Sequence, residues 1–361
     1  MKILYVGLKF DYGKPERGFS FEHYNFYESL VAMNGGEHEI VYFAFDEVMQ
    51  AEGRDGMNKK LLEAVEQQRP DVGWFCIFQD EIDKETLLKV KEKIPTFNWF
   101  TDDHWRFDNF GKHYVPYFTF IGTTDSQAPA KYHSLGFNNE IKTQWAANHH
   151  AYKPTGIDPE KIGRREEGDF DYDVSFVGQP HGDRGEVVKK IRLTGVKVDC
   201  YGGGWPNGRV SQEKMLEIFS RSKINLNLTK SSEQISFKQL VKVFLRRRSD
   251  NKYTLYSPWM WLDNWRSLRN KKREQIKGRN FEVPAMGGLL LTGDADNLGD
   301  YYVDGKEIVI FHSVDELIEK AKYYLAHPQE REAIALAGYQ RTLSEHTYEK
   351  RFNDIFKIMG F

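Results

Sequence analysis

The chain has 361 residues, a formal net charge of −2 and an aromatic content of 14%. This length predicts about two domains, whose cores are large enough to fold without disulfides or structural metals. A net charge near zero argues against a general polyanion binder, but it leaves open a basic surface of limited extent.

Only two cysteines occur, Cys76 and Cys200, and each lies in an apolar segment that is typical of a strand. The chain opens directly on the apolar stretch KILYVGL, and no apolar run approaches the length of a membrane span. We therefore expect a reduced, cytoplasmic protein without disulfides.

The N-terminal half alternates apolar strands with amphipathic helices. The predicted order is strand 3–8, helix 22–33, strand 39–45, helix 61–68 and strand 72–78. Such alternation predicts a parallel sheet with helices on both faces, and ligands bind these sheets at the carboxyl ends of the strands. The loop after the first strand lacks the GxGxxG pattern, which disfavours a dinucleotide-binding dehydrogenase.

A cluster of polar side chains follows the strand in FNWFTDDHWRF. Asp102, Asp103 and His104 lie at a strand end, where catalytic residues collect in α/β sheets, and one aspartate would orient the imidazole or accept a hydrogen bond from a substrate hydroxyl. The alternative is that Asp102 or Asp103 only caps the next helix. Two adjacent carboxylates and one histidine offer few ligands for a metal ion, so we predict no metal site.

A second α/β repeat begins at Asp173, after a linker predicted at 154–172. Its first strand leads into a loop at Gly178 and then into a helix near Arg184, whose amino end would face an anion. A further strand, 196–201, precedes the glycine-rich stretch GGGWPNGRV.

Residues 230–278 are basic and aromatic, with the stretches KVFLRRRSDNK and YSPWMWLDNW. Clustered Arg and Lys with interleaved Trp suit either a nucleic-acid backbone or an anionic membrane surface. The alternative is a solvated helix face without a ligand.

The stretch RNFEVPAMGGLLLT, residues 279–292, predicts a short helix, a Gly-Gly turn and a buried strand. Glu282 stands in an apolar setting, where its carboxylate would meet hydroxyls or a cation. Gly287 and Gly288 tolerate left-handed backbone angles and would end the helix. The alternative is an ordinary helix end with a solvated glutamate.

These segments resemble the group 1 glycosyltransferases, and the wording QIKGRNFEVPAMGG is most similar to their CgeB-like, spore-maturation-protein branch. In that family a Glu five residues before a Gly holds the ribose of a nucleotide sugar, and Glu282 and Gly287 match this spacing. A second Glu often stands eight residues upstream, where this chain has Glu274. Glu233 is the alternative first glutamate if the basic segment interrupts the motif.

The resemblance implies the α/β fold called GT-B, with two Rossmann-like domains facing a cleft and a C-terminal helix that crosses back to the N-terminal domain. The expected boundaries are 1–153 for the acceptor domain, 154–172 for the linker, 173–343 for the nucleotide-sugar domain with the insert 230–278, and 344–361 for the crossover helix.

The resemblance also implies roles for individual residues. Group 1 enzymes grip the diphosphate with an Arg and a Lys. Here Gln179 replaces the first cation, so Lys277 and Arg279 are the expected substitutes. Trp205 would stack on the nucleobase, unless the triple glycine is only a flexible turn. The expected donor-binding residues are Glu282, Glu274, Arg279, Lys277, Arg184, Gly178, Gly203, Trp205, Gly287 and Gly288. The expected catalytic residues are Asp102, Asp103 and His104, and the expected acceptor or phosphate loop carries Gly13, Arg17 and Gly18.

The predicted function is transfer of a sugar from a nucleotide-diphosphate sugar, of UDP or GDP type, to an unknown acceptor. The resemblance implies retention at the anomeric carbon, and we expect neither a metal nor another cofactor. A polyanion such as DNA or a cell-surface polymer is one candidate for the acceptor, and the insert would make peripheral membrane contact. The alternative is a catalytically inactive scaffold that binds nucleic acid or an anionic membrane through the insert.

Overall fold

The computed structural model describes residues 1–229, 237–249 and 252–361, and contacts divide them into two compact units. The first unit comprises Met1–Gln144, the described part of Ile235–Lys271, and Arg351–Phe361. The second unit comprises the described part of Trp145–Gln234, and Lys272–Lys350. Glu233, the alternative first glutamate, lies outside the described residues.

Strands and helices alternate along most of the chain. The strands are β1 Lys2–Gly7, β2 Glu39–Ala44, β3 Val72–Phe75, β4 Thr96–Phe100, β5 Phe120–Thr123, β6 Glu140–Lys142, β7 Tyr172–Val177, β8 Val198–Tyr201, β9 Ser222–Asn227, β10 Leu245–Arg247, β11 Tyr253–Leu255, β12 Leu290–Gly293 and β13 Val309–Phe311. The helices are α1 Glu28–Ala32, α2 Phe45–Gln68, α3 Lys84–Lys91, α4 Asp103–Arg106, α5 Lys112–Tyr114, α6 Ala128–Ser134, α7 Arg184–Leu193, α8 Gln212–Ser220, α9 Phe237–Phe244, α10 Pro258–Asn270, α11 Arg279–Ala285, α12 Val314–Ala326, α13 Pro328–Glu345 and α14 Tyr348–Met359.

The first unit contains a parallel sheet of six strands in the order β2-β1-β3-β4-β5-β6. Parallel neighbours need crossover connections, and helices supply most of them here, as the alternating pattern predicts. Helix α2 is much longer than the predicted helix 61–68. The prediction left out residues 45–60 because they contain few apolar side chains and show no helical periodicity. This helix is interrupted at Gly53, where φ is 71°.

The second unit contains a parallel sheet of five strands in the order β13-β12-β9-β7-β8. Its core is lined by buried aliphatic side chains from neighbouring strands, among them Val174, Ile224 and Leu291. Both units are therefore Rossmann-like parallel sheets with helices, which confirms the predicted α/β class.

The final helix returns to the first unit, as predicted. The rings of Phe352 and Phe356 pack against Trp74, with centroid separations of 4.7 Å and 5.3 Å. Phe352 also meets the edge of Phe26 at 6.1 Å. These contacts pack one face of the final helix on the aromatic core of the N-terminal sheet.

The basic insert groups differently from the boundaries expected from chain order, because its described part belongs to the first unit. The Lys112 ammonium and the His113 ring lie 2.8 Å and 3.2 Å from the Asp263 carboxylate on α10. Arg246 and Arg248 approach Asp80 at 3.3 Å and 3.6 Å. These contacts join residues far apart in the sequence, so chain order alone could not show them.

The boundary between the units also differs from the predicted one, since residues 145–153 group with the second unit. Ala147 exchanges backbone hydrogen bonds with His346 and Tyr348 at 2.9 Å and 3.0 Å. None of the helices in the described part of the chain combines the length and the apolar character that a bilayer span needs.

Candidate functional site

The turn after helix α11 requires glycine at two successive positions. Gly287 has a φ of 70°, and a Cβ there would lie 2.6 Å from Ile162 Cδ1. A Cβ on Gly288 would lie 2.4 Å from Asn225 Nδ2 and 2.7 Å from the carbonyl oxygen of Phe219. The turn thus packs directly on the neighbouring strand β9, which fixes the position of α11 relative to the sheet.

Glu282 on α11 is completely buried, which contradicts the alternative of a solvated glutamate at a helix end. The Tyr152 hydroxyl donates a hydrogen bond of 3.0 Å to its Oε1, and the Arg279 guanidinium pairs with its Oε2. The two partners are a hydroxyl and a cation, the kinds expected for a carboxylate in this apolar segment. Its negative charge is therefore compensated within the second unit.

The Arg279 side chain covers the Glu282 carboxylate. Its guanidinium lies over the Phe219 ring, 5.1 Å from the centroid, and its Nε is 3.5 Å from the carbonyl oxygen of Val177 at the end of β7. The Arg279 side chain keeps 28% of its surface exposed, whereas Glu282 keeps none. Arg279 therefore separates the buried carboxylate from solvent.

A buried amide network beneath α11 was not predicted. Asn227 Nδ2 donates to Asn280 Oδ1 and to Thr292 Oγ1, each at 3.1 Å. The backbone N–H of Lys277 donates to the same Asn280 oxygen at 2.9 Å. The network fixes the residue that precedes Glu282 by two positions. The available signal was Asn227 itself, a polar residue at the carboxyl end of β9, where ligand-binding residues collect in parallel sheets.

The loops after β7 and β8 contact each other closely. The carbonyl oxygen of Gly178 accepts a hydrogen bond of 2.7 Å from Trp205 Nε1. Gly202 has a φ of 134°, and a Cβ there would lie 2.4 Å from that same oxygen. A Cβ on Gly203, in contrast, would meet its nearest neighbour at 3.9 Å, so Gly202 rather than Gly203 is sterically required. The stretch is therefore more than a flexible turn.

The structure places the other predicted donor residues in the same unit. Arg184 holds the loop by donating to the carbonyl oxygens of Gln179 and Leu228 at 3.1 Å and 2.8 Å, and burial lowers its pKa. The Trp205 ring meets the edge of Phe176, 6.0 Å between centroids. Lys277 and Glu274 are both partly exposed.

A buried ion pair in the predicted linker was also missed. Arg165 Nε donates to Glu332 Oε2 at 2.7 Å, and both side chains are almost fully buried. The same guanidinium donates to the carbonyl oxygen of Gly287 at 2.6 Å and to that of Ser220 at 3.0 Å. Arg165 thus holds the Gly-Gly turn from a segment whose mixed charges predict only an exposed linker.

In the first unit, Asp103 points into the protein core. Its Oδ2 accepts a hydrogen bond of 3.0 Å from the Tyr132 hydroxyl, and burial raises its pKa to about 7. A Cβ on Gly111 would lie 2.4 Å from that hydroxyl and 2.5 Å from Asp103 Oδ1. Asp102 occupies the position before α4 but makes no side-chain capping bond, so the simple capping alternative does not account for these aspartates.

His104 is buried next to a second carboxylate that the sequence did not single out. Its Nε2 lies 4.0 Å from Asp125 Oδ1, and the Lys131 ammonium lies 3.6 Å from Asp125 Oδ2. Asp125 follows β5, and His104 follows β4, so the carboxyl ends of two adjacent parallel strands bring them together. The missed signal was TTDSQAP, a strand end with its own aspartate.

The first loop of the chain is bent at both predicted glycines, since φ is 66° at Gly13 and 81° at Gly18. Arg17 lies 3.7 Å from Asp11 and covers the Tyr12 ring at 4.9 Å. These residues shape the loop through their own local contacts.

Comparison with known proteins identifies the class. Residues 184–357 match the family described as glycosyl transferase-like. The chain is 23% identical to the spore protein CgeB of Bacillus subtilis (strain 168) over 265 residues. This alignment covers 73% of this chain and 75% of CgeB.

Two solved structures share the fold. Sucrose-phosphate synthase from Thermosynechococcus elongatus has a TM-score of 0.60 at 7% identity and covers 99% of this chain and 98% of its own. Anabaena HepE in complex with UDP-glucose has a TM-score of 0.56 at 10% identity and covers 99% of both chains.

The two parallel sheets and these similarities define a glycosyltransferase with the GT-B fold. Within that class, the predicted resemblance to the CgeB-like branch of the group 1 enzymes is confirmed.

Proposed function

We propose that this glycosyltransferase uses a nucleotide-diphosphate sugar and that helix α11 binds its nucleotide. The observation that carries the proposal is the buried Glu282 carboxylate, held by Tyr152 and Arg279 beside the Gly-Gly turn. A carboxylate that a protein hydroxyl holds in place can accept hydrogen bonds from ribose hydroxyls once Arg279 moves away. The structurally similar HepE was solved with UDP-glucose, which makes UDP the first nucleotide to test.

In this proposal Arg279 exchanges partners when the donor binds. Ribose hydroxyls take its place on Glu282, and the partly exposed guanidinium turns to the diphosphate, where a planar fork engages two oxygens. Lys277 adds a second cation. Arg184 has two backbone carbonyls as partners, so its part is to shape the loop and supply positive charge. Together these cations stabilise the charge that develops on the leaving diphosphate, without a metal.

We assign substrate contact in the first unit to His104 and Asp102. Asp125 orients the His104 imidazole, and Asp103 positions the start of α4 through Tyr132 rather than touching the substrate. The anomeric configuration of the product reports the stereochemical outcome of the transfer, and we expect retention.

Thermal shift with UDP, GDP, ADP, CDP and dTDP tests the donor site. A nucleotide that binds only the folded protein stabilises it by about 2.7 kcal/mol at a concentration of a hundred times Kd. We expect one diphosphate, UDP first, to raise the melting temperature of the wild type and to have little effect on Glu282→Gln.

Glu81→Gln is the matched control, because Glu81 is also a buried glutamate but lies in the first unit, where it accepts hydrogen bonds from the backbone N–H groups of Phe78 and Gln79. We expect it to melt earlier but to keep its full response to the nucleotide. No response of the wild type to any of the five, or an equal loss in both variants, would refute the assignment of Glu282.

A further inference from the structure

Helix α10 in the insert exposes a group of large apolar side chains. Trp259, Trp261, Leu262 and Trp265 are 65%, 39%, 57% and 41% exposed. An amphipathic helix of a globular protein normally turns its apolar stripe to the core. Three exposed tryptophans on one short helix therefore need another explanation than folding.

The buried face of α10 combines two apolar side chains, Met260 and Leu268, with polar side chains that are well bonded. Asp263 lies within hydrogen-bond distance of Lys112 and His113, at 2.8 Å and 3.2 Å. Asn264 Nδ2 donates to the carbonyl oxygen of Val243 at 2.9 Å, and its Oδ1 accepts from Asn109 at 3.2 Å. These bonds fix the helix rotation, so the outward direction of the tryptophans is part of the fold.

The hairpin of β10 and β11 extends this apolar surface. Tyr253 and Leu255 are 70% and 73% exposed. Phe244, at the end of α9, meets the edge of the Trp261 ring at 5.2 Å and is itself 45% exposed. The insert surface, defined here as the exposed side chains of α9, the hairpin and α10, is thus continuous from the hairpin to the helix through this ring pair.

Basic side chains accompany the insert surface. Residues 237–271 contain nine Lys or Arg and two Asp or Glu. Arg246 and Arg248 approach Asp80, whereas Lys242 and Arg247 are exposed. Arg266 is exposed and also lies 3.7 Å from Asp263. An apolar surface with a positive border is complementary to an anionic bilayer, where Trp and Tyr lie at the headgroup level and Lys and Arg meet the lipid charges.

We propose that the insert surface docks the protein on an anionic lipid bilayer, with the α10 tryptophans in the headgroup region and Lys242, Arg247 and Arg266 on the lipid phosphates. This inference does not depend on the proposed donor site. Protruding aliphatic groups such as Leu255 and Leu262 gain little from stacked bases, which disfavours nucleic acid. A two-fold dimer through this surface would bring its cations against each other.

Co-sedimentation with vesicles tests the proposal on the full chain. We expect binding to phosphatidylcholine vesicles that contain about 30% phosphatidylglycerol, weaker binding to phosphatidylcholine alone, and weakening by salt of the binding to the anionic vesicles. Trp259→Ser combined with Trp265→Ser, and separately Lys242→Glu combined with Arg247→Glu, should each lower the partition coefficient at least about tenfold.

Leu193→Ser and Lys322→Glu are the matched controls, because both side chains are exposed on helices of the second unit. They should bind vesicles like the wild type, and all variants should keep the wild-type melting temperature and nucleotide response. The proposal is overturned if the wild type binds neither vesicle, or if the insert variants bind as tightly as the controls. It is equally overturned if the tryptophans instead serve a dimer seen by light scattering, or a DNA complex seen by gel shift.

Discussion

Replacing Asp103 by asparagine should make the protein more stable at neutral and alkaline pH. The carboxyl is buried, and its pKa is raised from about 3.8 to about 7, chiefly because burial disfavours the charged form. Asparagine has nearly the same shape and cannot ionise. Its oxygen can still accept the hydrogen bond from Tyr132, and its amide can donate to Thr123, whose hydroxyl now bonds the carboxyl.

The sign follows from proton binding. Between about pH 4 and pH 7 the folded protein keeps the Asp103 proton, whereas the unfolded chain has released it, so the free energy of unfolding falls as pH rises. Above pH 7 the loss is complete. A difference of about three pKa units corresponds to about 4 kcal/mol, taken as an upper bound on the wild-type loss. The free energy of unfolding of Asp103→Asn should not fall in this way as pH rises.

Urea denaturation at several values between pH 5 and pH 9, followed by tryptophan fluorescence, measures the difference. The stability gap between Asp103→Asn and the wild type should grow from pH 5 to pH 7 and then stay constant. Glu22→Gln is a parallel variant, because burial also raises the pKa of Glu22 to about 7. A gap that does not change with pH would show that Asp103 is ionised in the folded protein and refute the reasoning.

Sugar transfer by the same variant separates the two roles considered for Asp103. A positioning residue bonded to Tyr132 tolerates asparagine, so we expect most of the activity to remain. Loss of turnover by several orders of magnitude, with the fold and nucleotide binding intact, would instead place Asp103 among the groups that contact the substrate.

Two further substitutions test the second unit. Tyr152→Phe removes the hydroxyl that donates to the buried Glu282 and should lower the free energy of unfolding by about 1.5–3 kcal/mol, measured by urea denaturation. Unchanged stability would mean that this hydrogen bond is not formed. Gly288→Ala places a Cβ 2.4 Å from Asn225 Nδ2, so it should lower the free energy of unfolding by more than about 2 kcal/mol, which a lower melting temperature would show. A neutral alanine would show that the turn can move away from β9.

The two parallel sheets could be predicted from the sequence, because the periodicities of strands and helices are local patterns. The sequence also indicated the helix, glycine turn and strand around Glu282, since helix-ending glycines have a local signature. The hydroxyl partner of Glu282 could not be predicted from the sequence. Tyr152 is 130 positions away in the chain, and nothing in its neighbourhood marks it as a donor to a buried carboxylate.

The same limit explains why the structure separates residues that are neighbours in the sequence. Asp103 and His104 are adjacent, but adjacent side chains on a helix point in different directions. One contacts Tyr132 and the other lies beside Asp125. The insert was placed with the second domain because it follows β9, whereas Asp80 and Lys112 of the first unit hold it in place.

The way the final helix completes the N-terminal core has a consequence for biosynthesis. Trp74 leaves the ribosome early, but Phe352 and Phe356, which cover it, follow roughly 280 residues later. At ribosomal speeds of about 5–20 residues per second, that delay is roughly 15–60 seconds. During this time the nascent N-terminal sheet has an open aromatic surface, so chaperone demand should peak before the second unit is finished. A fragment that ends before residue 351 should keep that surface exposed and aggregate.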